Sequence, residues 1–267
     1  MKGYEVPEYG RSAQGIPIIN LLGIDNHEKI TAVINVSNAA DDTDKFLFFV
    51  TKQGTVKKTP VDDFRNIRSN GLKAIQLHDG DELIHVNIID GQQNMILGTR
   101  LGYAVSFNAE DVRSMGRSAA GVRGAKLREG DCVIGAAPLD SDCNVFVISE
   151  NGFGKQTPAA EYPIKGRGGK GIKTVNVTAK NGPLAGLTTV KGDEDIMLVT
   201  DKGVIIRFGI ETVSQTGRAA VGVHLIRMDD DSKVATMAKV AKEDQTDQDD
   251  DALPAEEDSA ASETENN

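Results

Sequence analysis

The 267-residue chain is long enough for one large core or two ordinary ones, with 39% hydrophobic residues, 4% aromatics, no Trp and 28 Gly, a mixture that suits many short strands and tight turns rather than long packed helices. No apolar run reaches the length of a helical bilayer span and Met1–Pro7 lacks the pattern of a secretory signal, so a soluble protein, no membrane partner and a cytoplasmic location are expected. The net charge of −10 is not evenly spread: Glu243 to Asn267 holds eleven acidic residues and no Lys or Arg, leaving 29 acidic against 30 basic over residues 1–242, so overall acidity does not argue against a nucleic-acid partner for the folded part.

In chain order, the first recognisable element is Gly10-Arg11-Ser-Ala-Gln-Gly15, followed by the aliphatic stretch Ile16 to Leu22 and a further strand-like run. Residues 1–44 therefore read as a partial unit with two later strands and no opening hairpin. A full unit begins at Phe46-Leu-Phe-Phe-Val, turns through a polar segment ending at Gly54, and returns as Thr55 to Thr59. This is a β-hairpin whose glycine supplies the positive φ of a tight turn. Arg68-Ser-Asn-Gly71 and the strand Glu82 to Ile89 complete it.

The same order recurs three times. Met95 to Phe107 turns at Gly102 and is followed by Gly116-Arg117-Ser-Ala-Ala-Gly121. Val145 to Thr157 turns at Gly152 and is followed by Gly166-Arg167-Gly-Gly-Lys-Gly171. Ile196 to Phe208 turns at Gly203 and is followed by Gly217-Arg218-Ala-Ala-Val-Gly222. The hairpin glycines are 48, 50 and 51 positions apart, and the last glycines of the arginine elements 56, 50, 50 and 51. Four short strands per repeat of about 50 residues is the pattern of a propeller blade. The expectation is an all-β array over residues 1–242, with blades at 1–44 (partial), 45–92, 93–143, 144–194 and 195–242. An open half-blade would expose strand edges, so the array reads as a fragment of a longer polypeptide. Residues 243–267 are too poor in apolar side chains to fold and are expected to be a disordered acidic tail, which either competes with phosphates for the same arginines or is a solubilising spacer without a partner.

Cys132 and Cys143 lack Cys-x-x-Cys spacing, and His27, His78, His85 and His224 are scattered one per segment, so no metal site is expected. Gly166 to Gly171 formally matches Gly-x-Gly-x-x-Gly, but Ile172 to Val177 reads as a strand where a dinucleotide site needs a helix. Nor is it a P-loop, because Gly171 follows Lys170 in place of Ser or Thr. What the repeats do offer is an arginine at one equivalent position in every unit: Arg11, Arg68, Arg117, Arg167 and Arg218. In a radial array these lie around one rim. Glycine turns let backbone N–H groups approach phosphates while arginine forks onto their oxygens.

With Lys73, Arg123, Lys165, Lys170 and Lys173 these arginines form the expected DNA-backbone site. Arg167 and Lys170 are expected to be its strongest contacts. Further basic companions lie at Lys57, Lys58, Arg65, Arg113, Lys126, Lys155 and Arg207. No recognition helix is present and aromatics for stacking are few, so the expected binding follows backbone and curvature, not base sequence. A protein-interaction propeller gripping an acidic partner is the reading from a different class.

At these repeats the sequence resembles the C-terminal domain of bacterial DNA gyrase A. The resemblance is carried by Tyr9-Gly-Arg-Ser-Ala-Gln-Gly-Ile-Pro-Ile-Ile-Asn-Leu-Leu22, Glu161-Tyr-Pro-Ile-Lys-Gly-Arg-Gly-Gly-Lys-Gly171 and Gly217-Arg-Ala-Ala-Val-Gly-Val223. It implies a β-pinwheel of six blades that exchange strands and a basic perimeter that wraps double-stranded DNA. It also implies service in an A2B2 holoenzyme that uses ATP and Mg2+ on its other domains to supercoil DNA, with no cofactor in this chain. The family's Gln-Arg-Arg-Gly-Gly-Lys-Gly box is absent, its nearest relative being Lys165 to Gly171. No Tyr is assigned chemistry, so the chain alone is not expected to be an enzyme. The corresponding domain of topoisomerase IV is the alternative within the same superfamily.

Overall fold

A computed structural model describes residues 6–10, 13, 16–22, 30–34, 44–65, 71–228 and 231–242, with the backbone alone described at Ile18 and Ile19. Hairpins rich in β-branched and aromatic residues set the plan. In the first, β1 (Phe46–Thr51) pairs antiparallel with β2 (Thr55–Pro60), and β3 (Leu83–Ile89) lines the other side of β1. The next repeat supplies β4 (Asn94–Thr99) and β5 (Tyr103–Asn108), then the two-residue β6 (Val122–Arg123) and β7 (Val133–Pro138). After it come β8 (Asn144–Ser149), β9 (Phe153–Pro158), β10 (Ile172–Lys173) and β11 (Leu184–Val190). The last repeat gives β12 (Glu194–Thr200), β13 (Ile205–Gly209), β14 (Val223–His224) and β15 (Val234–Ala241).

Every hairpin turns on the same local chemistry. The N–H groups of Gly54, Gly102, Gly152 and Gly203 each donate to the carbonyl three residues earlier at 3.0 Å. The hydroxyls of Thr51, Thr99, Ser149 and Thr200 each accept from the N–H after the glycine, at 3.0 to 3.4 Å. The four glycines have φ between 78° and 83°, as their place between two strands requires.

The sheets are β3-β1-β2-β6, β10-β5-β4-β7, β11-β8-β9-β14 and β13-β12-β15. Three strands of each come from one repeat. The outermost strand of the first three sheets comes from the next repeat, whose chain reaches back to pair over two residues with the second hairpin strand. These are the strand-exchanging blades of a pinwheel. The aliphatic stretch after each arginine turn is therefore shorter as a strand than its composition suggests, and it belongs to its neighbour's sheet.

Blades stack through apolar faces. Phe48, Val50 and Ile89 of the first meet Met95, Leu97 and Phe107 of the second, all buried. Val145 and Val147 meet Ile96 and Leu139, and Phe146 and Ile148 meet Ile196 and Leu198. One backbone hydrogen bond of 2.9 Å repeats at each junction, from Val133 to Lys52, Leu184 to Arg100 and Val234 to Glu150. Arg100 adds an ion pair to Glu150 at 2.6 Å.

The start of the chain departs from expectation. Ile18–Leu22 forms a five-residue helix, not a strand, and residues 30–34 have no regular structure, so the two later strands expected in residues 1–44 are not found among the described residues. Pro17 sets a φ suited to a helix start and accepts the N–H of Asn20 at 3.0 Å. The run Ile-Ile-Asn-Leu-Leu also lacks the alternation that a half-buried strand needs. The acidic tail lies outside the described residues.

Candidate nucleic-acid interface

The arginine turns ending at Gly121, Gly171 and Gly222 are each laid across the preceding blade, and the last glycine makes that possible. Gly121, Gly171 and Gly222 have φ of 107°, 72° and 90°. A Cβ built on them would stand 2.5 Å from the carbonyl oxygens of Val56, Ala104 and Gly154, respectively. Only glycine fits so close to another backbone at that φ. The chain then pairs with the hairpin and its N–H groups cap the hairpin turn: Gly124 donates to Gly54 at 2.8 Å, Thr174 to Gly102 at 2.9 Å and Leu225 to Gly152 at 2.9 Å.

Successive turns also touch one another. Gln76 donates its N–H to the Ala119 carbonyl at 3.2 Å, Gly168 to Gly124 at 2.7 Å and Lys126 to Gly169 at 2.8 Å. The arginine side chains extend the linkage. Arg167 donates from Nε to the Asp111 carbonyl at 2.9 Å and from Nη1 to the Arg123 carbonyl at 3.1 Å. Arg218 repeats this one blade on, with Nη1 3.5 Å from the Lys173 carbonyl and Nε 3.8 Å from the Glu161 carboxylate. Along this strip Lys73, Arg123, Lys165, Arg167, Lys170 and Lys173 are exposed, and Arg117 and Arg218 are half-buried. Arg11 and Arg68 lie outside the described residues. Arg167 and Arg218 thus do two things at once. They brace the neighbouring turn through backbone carbonyls and keep their charge at the surface.

Three basic companions are not surface groups, contrary to expectation. Lys57 and Lys155 have no exposure and Lys58 has 7%. They sit on the second hairpin strand, which the borrowed strand and arginine turn cover from outside. Lys58 donates to the Ala109 carbonyl at 2.9 Å and lies over the Phe46 ring. Burial lowers the pKa of Lys57 to about 8, partly offset by Asp63, and that of Lys155 to about 8, with Glu161 opposing and Arg218 reinforcing the shift. Of the other companions, Arg65 is paired with Asp62 at 2.9 Å and Arg207 with Asp195 at 2.8 Å; Arg113 and Lys126 are exposed.

Arg128 is a member of the site that sequence reasoning misses. Its guanidinium lies 3.3 Å from the centre of the Tyr103 ring, and Nη1 donates to the Lys170 carbonyl at 2.6 Å. It thereby fastens the Gly166–Gly171 turn to the blade beneath. The signal available is an aromatic directly after the hairpin glycine, repeated by Phe153, over which Lys180 sits at 5.5 Å.

No group of His, Cys, Asp or Glu among the described residues could hold a metal ion, and no described helix is long and apolar enough to cross a membrane. The strip can bind an extended polyanion through charge and glycine-turn N–H groups.

Comparison with known proteins bears on which one. The model of the DNA gyrase C-terminal domain, a β-propeller, matches residues 1–37, 45–90, 93–140, 144–191 and 194–241. DNA gyrase A of Staphylococcus epidermidis (strain ATCC 12228) is 46% identical over 246 residues, 91% of this chain and 27% of that protein. DNA gyrase A of Staphylococcus aureus (strain NCTC 8325) is 46% identical over 253 residues, 93% of this chain and 28% of that protein. The chain thus spans a little over a quarter of these relatives. The solved C-terminal domain of DNA topoisomerase IV superimposes with a TM-score of 0.80 at 27% identity, covering 86% of this chain and 72% of that one. The solved DNA gyrase A C-terminal domain gives 0.74 at 26%, covering 85% and 76%.

Proposed function

The chain belongs to the family of DNA gyrase C-terminal domains, and on that footing we propose that its arginine turns bind double-stranded DNA by the phosphate backbone and curve it along the rim. The observation that carries this reading is the hydrogen-bonded succession of turns, which brings basic side chains, exposed from Lys73 to Lys173 except for the half-buried Arg117, and half-buried at Arg218, along one strip. The turn Gly166–Gly171 offers an exposed arginine with Lys165 and Lys170 beside it, and the turns at Arg117 and Arg218 each offer a half-buried one, cationic groups that recognise phosphate without reading bases. Affinity then comes from counterion release, and specificity from the ease of bending.

In the whole protein this domain serves as the C-terminal part of gyrase A in the cytoplasm. It partners the remainder of gyrase A together with gyrase B, and these supply strand cleavage and the ATP- and Mg2+-dependent steps. The two solved domains share nearly the same identity with this chain, whereas the curated relatives at 46% are gyrase A proteins, which supports gyrase over topoisomerase IV. The test is binding to duplexes of increasing length at several salt concentrations. A rim that curves DNA gives an affinity that climbs with length beyond the count of sites, and a steep salt dependence. Equal affinity per site for short and long duplexes sinks the curving; weak salt dependence sinks the backbone contact.

A further inference from the structure

Lys57 and Lys155 each stand three residues after a hairpin glycine, and each is wholly enclosed. Lys57 Nζ donates to the carbonyls of Arg117 and Ala74, both at 2.6 Å. Lys155 Nζ donates to those of Arg218 at 2.5 Å and Gly217 at 2.6 Å. In two blades, therefore, an internal ammonium grips the carbonyl of the rim arginine itself. The second blade has Val105 at this position and the fourth has Ile206.

The contrast between gripped and ungripped turns lies in the next peptide N–H. In a trans peptide the C=O and the following N–H point opposite ways, so drawing the carbonyls of Arg117 and Arg218 inward aims the N–H groups of Ser118 and Ala219 outward. Both residues are exposed, and neither N–H has a hydrogen-bond partner among the described residues. In the turn above Val105 the equivalent N–H, of Gly168, is spent on the Gly124 carbonyl at 2.7 Å.

We propose that Lys57 and Lys155 are positioning residues of the rim, which set the arginine turns so that the N–H groups of Ser118 and Ala219 face phosphate oxygens, without themselves touching DNA. The inference rests on the DNA-binding reading above. It also accounts for why a charge is kept inside. Burial lowers the pKa of both lysines, so the fold gives up stability to hold them charged, and an apolar side chain of the same length would serve the core as well. Around Lys155 stand Glu161 and Arg218, and around Lys57 stand Asp63 and the Phe49 ring at 5.6 Å.

The test uses the full chain with long duplex DNA. Lys155→Met is expected to weaken binding roughly tenfold, the worth of a hydrogen bond to a charged group, with the salt slope unchanged because no phosphate contact leaves. Lys170→Ala, by comparison, lowers the slope by about 0.9. If Lys170→Ala weakens and flattens binding while Lys155→Met does nothing, the positioning role is wrong and the DNA reading stands. A flattened slope for Lys155→Met makes it a phosphate contact and also overturns the proposal. No effect from either variant overturns both readings. A measurement on the unaltered chain guards against a variant that fails to fold. The carbonyl 13C shift of Arg218 should move in step with the deprotonation of Lys155, which burial brings below the ordinary lysine range, while that of Arg167 stays still. An Arg218 carbonyl that does not respond as Lys155, followed by its own Nζ signal, loses its proton refutes the grip.

Discussion

Gly152 and Ile226 meet across two repeats: the glycine has a φ of 78°, and a Cβ built on it would stand 2.8 Å from the Ile226 carbonyl oxygen. Gly203 occupies the equivalent turn at 81°, with no described atom within 4 Å of that position. The two glycines separate backbone strain from the close approach of a neighbouring repeat. Gly203→Ala should cost about 1–2 kcal/mol for the left-handed backbone alone. Gly152→Ala should cost at least about 1 kcal/mol more, since a backbone oxygen must move. Urea unfolding of both variants gives the comparison, and equal losses would show that the borrowed strand does not clasp the turn tightly.

Arg167 braces two carbonyls and presents a charge, and three substitutions can tell these apart. Arg167→Ala with Lys170→Ala should weaken binding to all DNA sequences alike and lower the salt slope by about 1.8. Arg167→Lys should restore its share of the slope without restoring full affinity, because an ammonium cannot fork to the carbonyls of Asp111 and Arg123. A loss confined to one DNA sequence would contradict the backbone mechanism.

The buried lysines give stability a pH dependence of unusual sign. Each has a folded pKa of about 8 against an ordinary 10.5. Between these values the unfolded chain binds protons that the folded chain does not, so stability rises as pH climbs from 8 to 10.5 and levels off above. Comparing urea midpoints of the unaltered chain and of Lys57→Met with Lys155→Met at pH 7, 9 and 10 isolates their share. The variant should lack that part of the rise; a parallel course for both proteins excludes it.

Arg128 packs on Tyr103 and holds the Lys170 carbonyl. Tyr103→Leu should cost about 1 kcal/mol through the lost cation–π contact. Arg128→Ala should also release the Lys170 turn, seen as faster amide exchange at residues 168–171. Unchanged exchange there would assign Arg128 to the blade surface alone.

The period and the hairpin turns are legible in the sequence because both are local. A glycine between two strand-like runs, with Thr or Ser three residues before it, dictates the turn without reference to anything distant. The exchange of strands between blades is not legible from the residues, because a two-residue strand such as Val122–Arg123 carries no mark of the sheet it joins, and only the resemblance implied it. The same gap hides the burial of Lys57 and Lys155: a lysine on an outer strand looks solvent-facing until a borrowed segment covers it. Ile18–Leu22 invites a strand assignment because aliphatic content without alternation suits either a helix or a strand. The exposed members of the basic strip are legible through repetition, yet their second role, bracing the neighbouring turn, depends on carbonyls some 44 to 56 residues away.

Since each of the first three blades is closed by the repeat that follows it, the array has a polarity and a unit of change. Removing the second or third repeat in phase leaves the hairpin before it with a donor of the right kind, whereas cutting half a repeat leaves one edge bare and one donor without a recipient. The length of the rim, and with it the arc available to a bound polymer, can therefore be altered only in whole-blade steps.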